Sequence, residues 1–207
     1  MIENLKLRQE EQGDYFENEN VVREAFWNVY KPGCDEHLLL HKLRTRNSYI
    51  KELSLVACLD NKIIGNIIYS KIFQKDNMSN EIICFGPISV LPEYQRKGVG
   101  TLLINKSIEK AIELGYKAII ICGDLNYYKR FGFIPAYNYK VYLEGKKMEE
   151  KLDFFLCKEL EEGYFNKNCG FYNFDKAFFD LPANEVDEYD KKFPKKIKRE
   201  KRDTDHI

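Results

Sequence analysis

The chain has 207 residues, 33 Lys+Arg against 33 Asp+Glu, 44% hydrophobic and 14% aromatic residues. At ~100–200 residues per domain this makes one domain, or one with an appendage, and enough apolar residues for a core excludes wholesale disorder. A formal net charge of +0 gives no general attraction to nucleic acid or to a membrane surface, and no stretch approaches the ~18–20 apolar residues that span a bilayer.

The opening residues are polar and acidic, where a secretory signal is basic and then apolar. The six cysteines include no CxxC pair, so neither a disulfide framework nor a cysteine metal site is expected. Cys58, Cys84 and Cys122 lie in apolar runs and read as buried free thiols. The expectation is a soluble, cytoplasmic protein.

In chain order, residues 5–8 read as a short strand. Residues 15–30 read as a helix with Val21, Val22, Ala25, Phe26 and Tyr30 on one face, stopped by Lys31-Pro32-Gly33. Asp35 can cap a second helix carrying Leu38, Leu39, Leu40 and Leu43. Residues 53–59 and 63–73 read as a hairpin around Asp60-Asn61-Lys62, and 74–80 as a polar loop. The strand over 81–91 is interrupted by Gly86-Pro87, which predicts a bulge or bend. A helix follows over 98–114, ended by Gly115, then a continuously apolar strand over 118–122 of the parallel, buried kind. Residues 126–130 form a short helix, and 137–143 with 152–157 a terminal strand pair. The sum is a mixed α/β sheet, with a right-handed crossover at its centre. Past Leu160 the pattern decays into an aromatic, acidic stretch and a basic tail.

The chemistry concentrates at Gln95-Arg96-Lys97-Gly98-Val99-Gly100-Thr101, where a strand passes through glycines into a long helix. The first N–H groups of a helix lack intrahelical partners and the helix dipole is positive there, so such a turn can hold a phosphate. Arg96 and Lys97 add positive charge. The spacing is neither a Walker A loop nor a dinucleotide fingerprint.

The run GPISVLPEYQRKGVGTLL resembles the Q/R-x-x-G-x-G/A motif of the GCN5-related N-acetyltransferase (GNAT) superfamily, with Gln95, Gly98 and Gly100 in place. The downstream YYKRFGF, residues 127–133, resembles that superfamily's Y-x-x-x-G-F signature. With Gly123-Asp124 ahead of the paired tyrosines, the chain most resembles bacterial predicted acetyltransferases of the YhbS type, over about residues 4–157. The resemblance implies the GNAT fold: a mixed, mostly antiparallel sheet flanked by helices, with a parallel strand pair splayed at the cofactor site. It implies a GNAT domain over 1–159 and a C-terminal extension over 160–207. The implied activity is acetyl-CoA-dependent transfer of an acetyl group to a primary amine of a small molecule or protein, by direct attack in a ternary complex and without a metal.

By the same resemblance, Gln95, Arg96, Lys97, Gly98, Val99, Gly100 and Thr101 would cradle the pyrophosphate. The edge at Ile88, Ser89 and Val90 would pair with the pantetheine arm, and the Val90 N–H would polarise the acyl oxygen. Asp124, Tyr127 and Phe131 would also contact the cofactor. Tyr128 would protonate the departing thiolate and Glu81 would serve as general base, while Glu36 and His37 are secondary candidates for the acceptor site. His37 and His41 share a helix face, but no further ligands follow at zinc spacing. The rival on the same fold is a non-catalytic CoA-binding sensor. The basic tail over 191–202 reads as a solvated appendage rather than a nucleic-acid arm. Homodimers are common in the superfamily; the acceptor and the oligomeric state stay open.

Overall fold

The computed structural model describes residues 2–75, 77–203 and 205. Strand β1 (Lys6–Gln9) precedes helices α1 (Tyr15–Phe26) and α2 (Glu36–Leu43). Strands β2 (Leu55–Leu59), β3 (Lys62–Gln74) and β4 (Asn77–Val90) follow, then α3 (Val99–Glu113), β5 (Ala118–Cys122) and the single turn α4 (Leu125–Tyr128). The rest comprises β6 (Ile134–Pro135), β7 (Val141–Leu143), β8 (Phe155–Glu159), β9 (Gly170–Tyr172) and α5 (Ala183–Asp190). Seven strands make one sheet in the order β1-β2-β3-β4-β5-β8-β6, and β7 and β9 pair separately. Every neighbour in the large sheet is antiparallel except β4 and β5.

Local chemistry explains much of this. Asp60 and Asn61 both adopt left-handed backbone (φ 48° and 66°), the two-residue turn whose twist suits a hairpin. Consecutive residues Ile67 and Ile68 enter different buried clusters, because alternate side chains leave opposite faces of a strand and both faces are covered. Helix α3 lays Val99, Leu103 and Ile104 against Val56 and Ile67, while Val22 of α1 and Leu40 of α2 meet Ile68. Gly115 (φ 84°) closes α3, its N–H on Ile112 O and the Tyr116 N–H on Ala111 O, the pattern of a glycine C-cap.

Several expectations need correction. The loop expected over 74–80 is mostly ladder: Phe73 faces Met78 and Gln74 faces Asn77. Its exposed polar side chains mimic a loop but suit a solvent-facing ribbon. Helix α1 stops at Phe26 because Asn28 takes φ 62° and ties the chain back, its N–H on Gly33 O and its Oδ1 accepting from Gly33 N. The expected terminal pair does not form. β8 inserts between β5 and β6, while β7 pairs with β9 in parallel. Cys122, at the end of β5, is exposed, unlike buried Cys58 and Cys84.

Beyond Leu160 the chain folds onto α1 and α2. The Arg23 guanidinium, fully buried, meets the Asp190 carboxylate with Nε–Oδ1 2.6 Å and Nη2–Oδ2 3.1 Å. Tyr189 donates its hydroxyl to Glu19 (2.7 Å), and Phe193 stacks on Phe16 at 4.9 Å between centroids. The basic tail is not a free appendage: Lys191, Lys196, Lys198 and Arg199 pair with Glu188, Glu24, Asp187 and Asp205. The Trp27 indole N–H and the Asn28 amide both donate to Ile197 O. No helix among the described residues is long and apolar enough to cross a membrane.

Candidate functional site

The parallel pair is joined only briefly, Ile82 facing Ala118 and Ile83 facing Ile119. Beyond it β4 leaves β5. Opposite β3, the two residues from Ile67 to Tyr69 are matched by three from Ile88 to Phe85, so Gly86-Pro87 holds the extra residue of a β-bulge, as the sequence predicts. The Gly86-Pro87 peptide is cis.

The bulge leaves one edge of β4 open. Leu91 N donates across to Ile64 O. Because backbone groups alternate sides along a strand, the N–H of Val90 faces the gap instead. The Val90 carbonyl, on that same side, accepts from the Gln95 side chain at 3.0 Å. Gln95 thus straps the following loop to the strand. Ser89 turns its hydroxyl inward to Asn66 and is buried, so it offers the gap only backbone.

At the end of that loop, Gly98 is the N-cap of α3 with φ 89° and no side-chain cap, and the first turn holds no acid. The first backbone bond of the helix is Leu102 N to Gly98 O. Among the described residues, no hydrogen bond uses the N–H of Arg96, Lys97, Gly98, Val99, Gly100 or Thr101. Arg96 and Lys97 are exposed and make no ion pair among the described residues. This is an anion cradle, with unpartnered donors, dipole and side-chain charge of one sign. A Cβ at Gly98 would meet nothing within 4 Å but would strain a backbone at φ 89°, and one at Gly100 would stand 3.2 Å from Tyr127 Oη. Tyr127 thus leans over the cradle, with the Arg130 guanidinium on its ring at 4.4 Å.

Tyr128 lies across the gap. Its ring packs on Gly123, where a Cβ would collide with it, and sits 5.8 Å from the ring of Phe85. Its hydroxyl has no hydrogen-bond partner among the described residues, and burial pushes its pKa above the usual tyrosine value. It stays protonated, a donor without an acceptor. Asp124 spends a carboxylate oxygen capping α4 at Asn126 N (2.9 Å).

Three candidates lie elsewhere. Phe131 is in the main core, 8% exposed, not on the cradle. His37 is wholly buried between Cys34 Sγ (3.5 Å) and Asp190 (3.5 Å), with burial lowering its pKa to about 4, so it supports the fold and does not line the acceptor site. Glu81 is exposed, accepts from Tyr164 Oη (3.1 Å), and precedes Ile82, at the joined end of the parallel pair. At ~3.3 Å per residue, the five residues to Gly86 make roughly 16 Å. Its register, set by the long β3–β4 ribbon, places it at the wrong end for a base.

Glu36, unlike His37, is only partly buried. It begins α2, and burial together with the Asp35 charge raises its pKa to about 7. Its charge and that of Asp124 both raise the pKa of Tyr30, and Tyr30 in turn raises that of Tyr128. Tyr30, absent from the sequence-based candidates, is within electrostatic reach of groups on both sides. Its exposure (61%) at a helix end that the sequence extended too far hid it. Among the described residues, no group of three or more His, Cys, Asp or Glu is placed to hold a metal.

Comparison with known proteins agrees with this architecture. The family model described as Acetyltransferase (GNAT) family matches residues 10–133. The uncharacterized N-acetyltransferases YjhQ and YhbS of Escherichia coli (strain K12) are 35% identical over 91 residues (44% of this chain, 50% of YjhQ) and 30% identical over 100 residues (47% of this chain, 58% of YhbS). The matches thus span about half the length of these curated relatives. Among solved structures, E. coli YhbS in complex with CoA superposes with a TM-score of 0.75 at 22% identity, over 86% of this chain and 94% of that one. A GNAT family acetyltransferase from Brucella melitensis in complex with acetyl-CoA gives 0.68 at 26%, over 84% and 97%. With more than half its length matched by the family model, this chain belongs to the GNAT acetyltransferase family.

Proposed function

We propose that the protein is an acetyl-CoA-dependent N-acetyltransferase that acts on a primary amine in a ternary complex. The observation that carries this reading is the run of unpartnered N–H groups from Arg96 to Thr101, set beside the open edge of β4. A cradle of that size fits a pyrophosphate, and Gly98 and Gly100 leave it open to the backbone. Supporting it, the two solved relatives above bind CoA and acetyl-CoA. The free thiols among the described residues suit a cytoplasmic setting.

Acetyl-CoA supplies a thioester whose acyl carbon accepts the amine, the C–N bond forming as the C–S bond breaks. The chain supplies the rest. Glu36 takes a proton from the ammonium and frees the lone pair. The Val90 N–H donates to the acyl oxygen as charge develops on it. Tyr128 gives its proton to the departing sulfur, and the proton that nitrogen loses as the amide forms balances that one. The sensor alternative has no use for a half-buried tyrosine at the gap whose hydroxyl has no hydrogen-bond partner among the described residues.

Two expected results test this. Acetyl-CoA at ~100 times its dissociation constant raises the stability by about 2.7 kcal/mol, and Tm by several degrees, whereas ATP does not. Substituting Gly98→Ala removes most of that rise, because a residue with a Cβ is strained at φ 89° and pulls the cradle's N–H groups out of line; an unchanged rise removes the cradle assignment. The second result is a pH profile. Glu36 accepts a proton only when ionised, so kcat/KM climbs with pH and levels off above about 7. In Glu36→Gln the rate drops and that inflection disappears. The same inflection in the variant rules out Glu36 as base.

A further inference from the structure

We propose, resting on the N-acetyltransferase reading, that the C-terminal extension builds the acceptor half of the active site. We further propose that the acceptor is a small monoamine with an aromatic body. A cleft of about 610 Å³ opens between the α1–α2 loop and the segment around Phe178 and Phe179. That volume takes a small molecule. The wall of the cleft abuts the site already described: the Phe178 ring lies 3.7 Å from the Cβ position of Gly86, on the β4 bulge, and the lining residues Lys31 and Asp35 adjoin Tyr30 and Glu36 along the chain. An amine held there reaches the gap from the side opposite the cradle.

The wall is rigid where it meets the site. Asp175, 2% exposed, accepts from Ser48 Oγ (2.6 Å), Arg46 Nε (2.9 Å) and Ala177 N (2.9 Å). That fixes the turn carrying Phe178, whose ring also packs on Phe174 at 5.5 Å. Beside it Phe179 is 65% exposed and makes no aromatic contact among the described residues. A large ring left open on the wall of a cleft is a surface for a flat apolar group.

Charge narrows the class. The cleft is lined by Lys31, Asp35, Lys201 and Asp205. Lys31 is paired with Asp35, and Asp205 is held by Arg199. No lining acid is left to bind a second ammonium, and Lys201 repels one. Glu36, next to Asp35, is the acid that meets the reacting amine. One ammonium and an apolar body fit; a polyamine does not.

The test is steady-state kinetics of the full chain with phenethylamine and spermidine as probe acceptors, alongside the thermal shift with acetyl-CoA. Phenethylamine is expected to be acetylated with the higher kcat/KM. In Phe179→Ala its KM rises about tenfold, a typical cost of one lost aromatic contact, while the KM for acetyl-CoA and the Tm stay put. Phe179 is exposed, so the variant folds. Spermidine preferred over phenethylamine, phenethylamine left unacetylated, or an unchanged KM in Phe179→Ala overturns the acceptor inference. If the acetyl-CoA shift persists in those cases, the N-acetyltransferase reading stands. Loss of the shift itself defeats that reading instead.

Discussion

Replacing Tyr128 by phenylalanine is expected to lower kcat by about 100-fold or more, the usual range for removal of a general acid, while the acetyl-CoA thermal shift remains. The ring is what packs on Gly123 and Phe85, and phenylalanine keeps it. Only the hydroxyl is lost, and it holds up no other group among the described residues, since it has no hydrogen-bond partner there. A structural role would therefore show as a change in Tm, and a chemical role as a change in kcat alone. Turnover equal to wild type would move the proton donor elsewhere, and Tyr127, whose hydroxyl lies over the cradle, is too far toward the phosphates to take its place.

Asp190→Ala is expected to cost about 3–5 kcal/mol, because it strands the buried Arg23 guanidinium without its two-point partner and leaves only Glu24, at 3.8 Å and not hydrogen-bonded. At about 2–4 °C per kcal/mol for a chain of this size, Tm falls by on the order of 10 °C in a thermal melt. Arg23 has no solvent to turn to: its side chain is 0% exposed and its Nη1 already lacks a hydrogen bond. The Trp27 ring at 4.3 Å softens the loss without replacing a carboxylate. Removing both charges, as in Arg23→Met with Asp190→Leu, recovers most of the stability, since an apolar pair can fill such a site. A Tm within a few degrees of wild type in Asp190→Ala would show that the contact is incidental.

The central βαβ passage was legible in the sequence because local rules act alone there. Gly98 marks a left-handed cap, Gly115 another, and Gly86-Pro87 a strand that cannot stay regular. Tyr128 came instead from the resemblance of residues 127–133 to the GNAT signature. What escaped depends on register and on distant partners. Glu81 reads as a strand start only if the ribbon before it is a loop; once β4 begins at Asn77, Glu81 sits five residues before the bulge. His37 shares its helix with Glu36, but only α5, packed from the far end of the chain, decides that His37 is sealed beneath Asp190. Cys122 ends an apolar run yet stands where β5 loses its neighbour, so hydrophobicity along the chain overstated its burial. The extension looked featureless because its short pieces have no periodicity of their own and are shaped by the helices that they cover.

The Arg23–Asp190 contact also sets an order of events during synthesis. The two residues are 167 positions apart, and a ribosome adding ~5–20 residues per second needs roughly ten to thirty seconds to pass from one to the other. For that interval α1 carries a guanidinium that cannot be buried, so the helix cannot seat fully on the sheet. The β-bulge and the turn before α3 have all their partners well before then. The half of the fold that carries the bulge and the helix start can therefore take shape before the segment that seals α1 and α2 has been made.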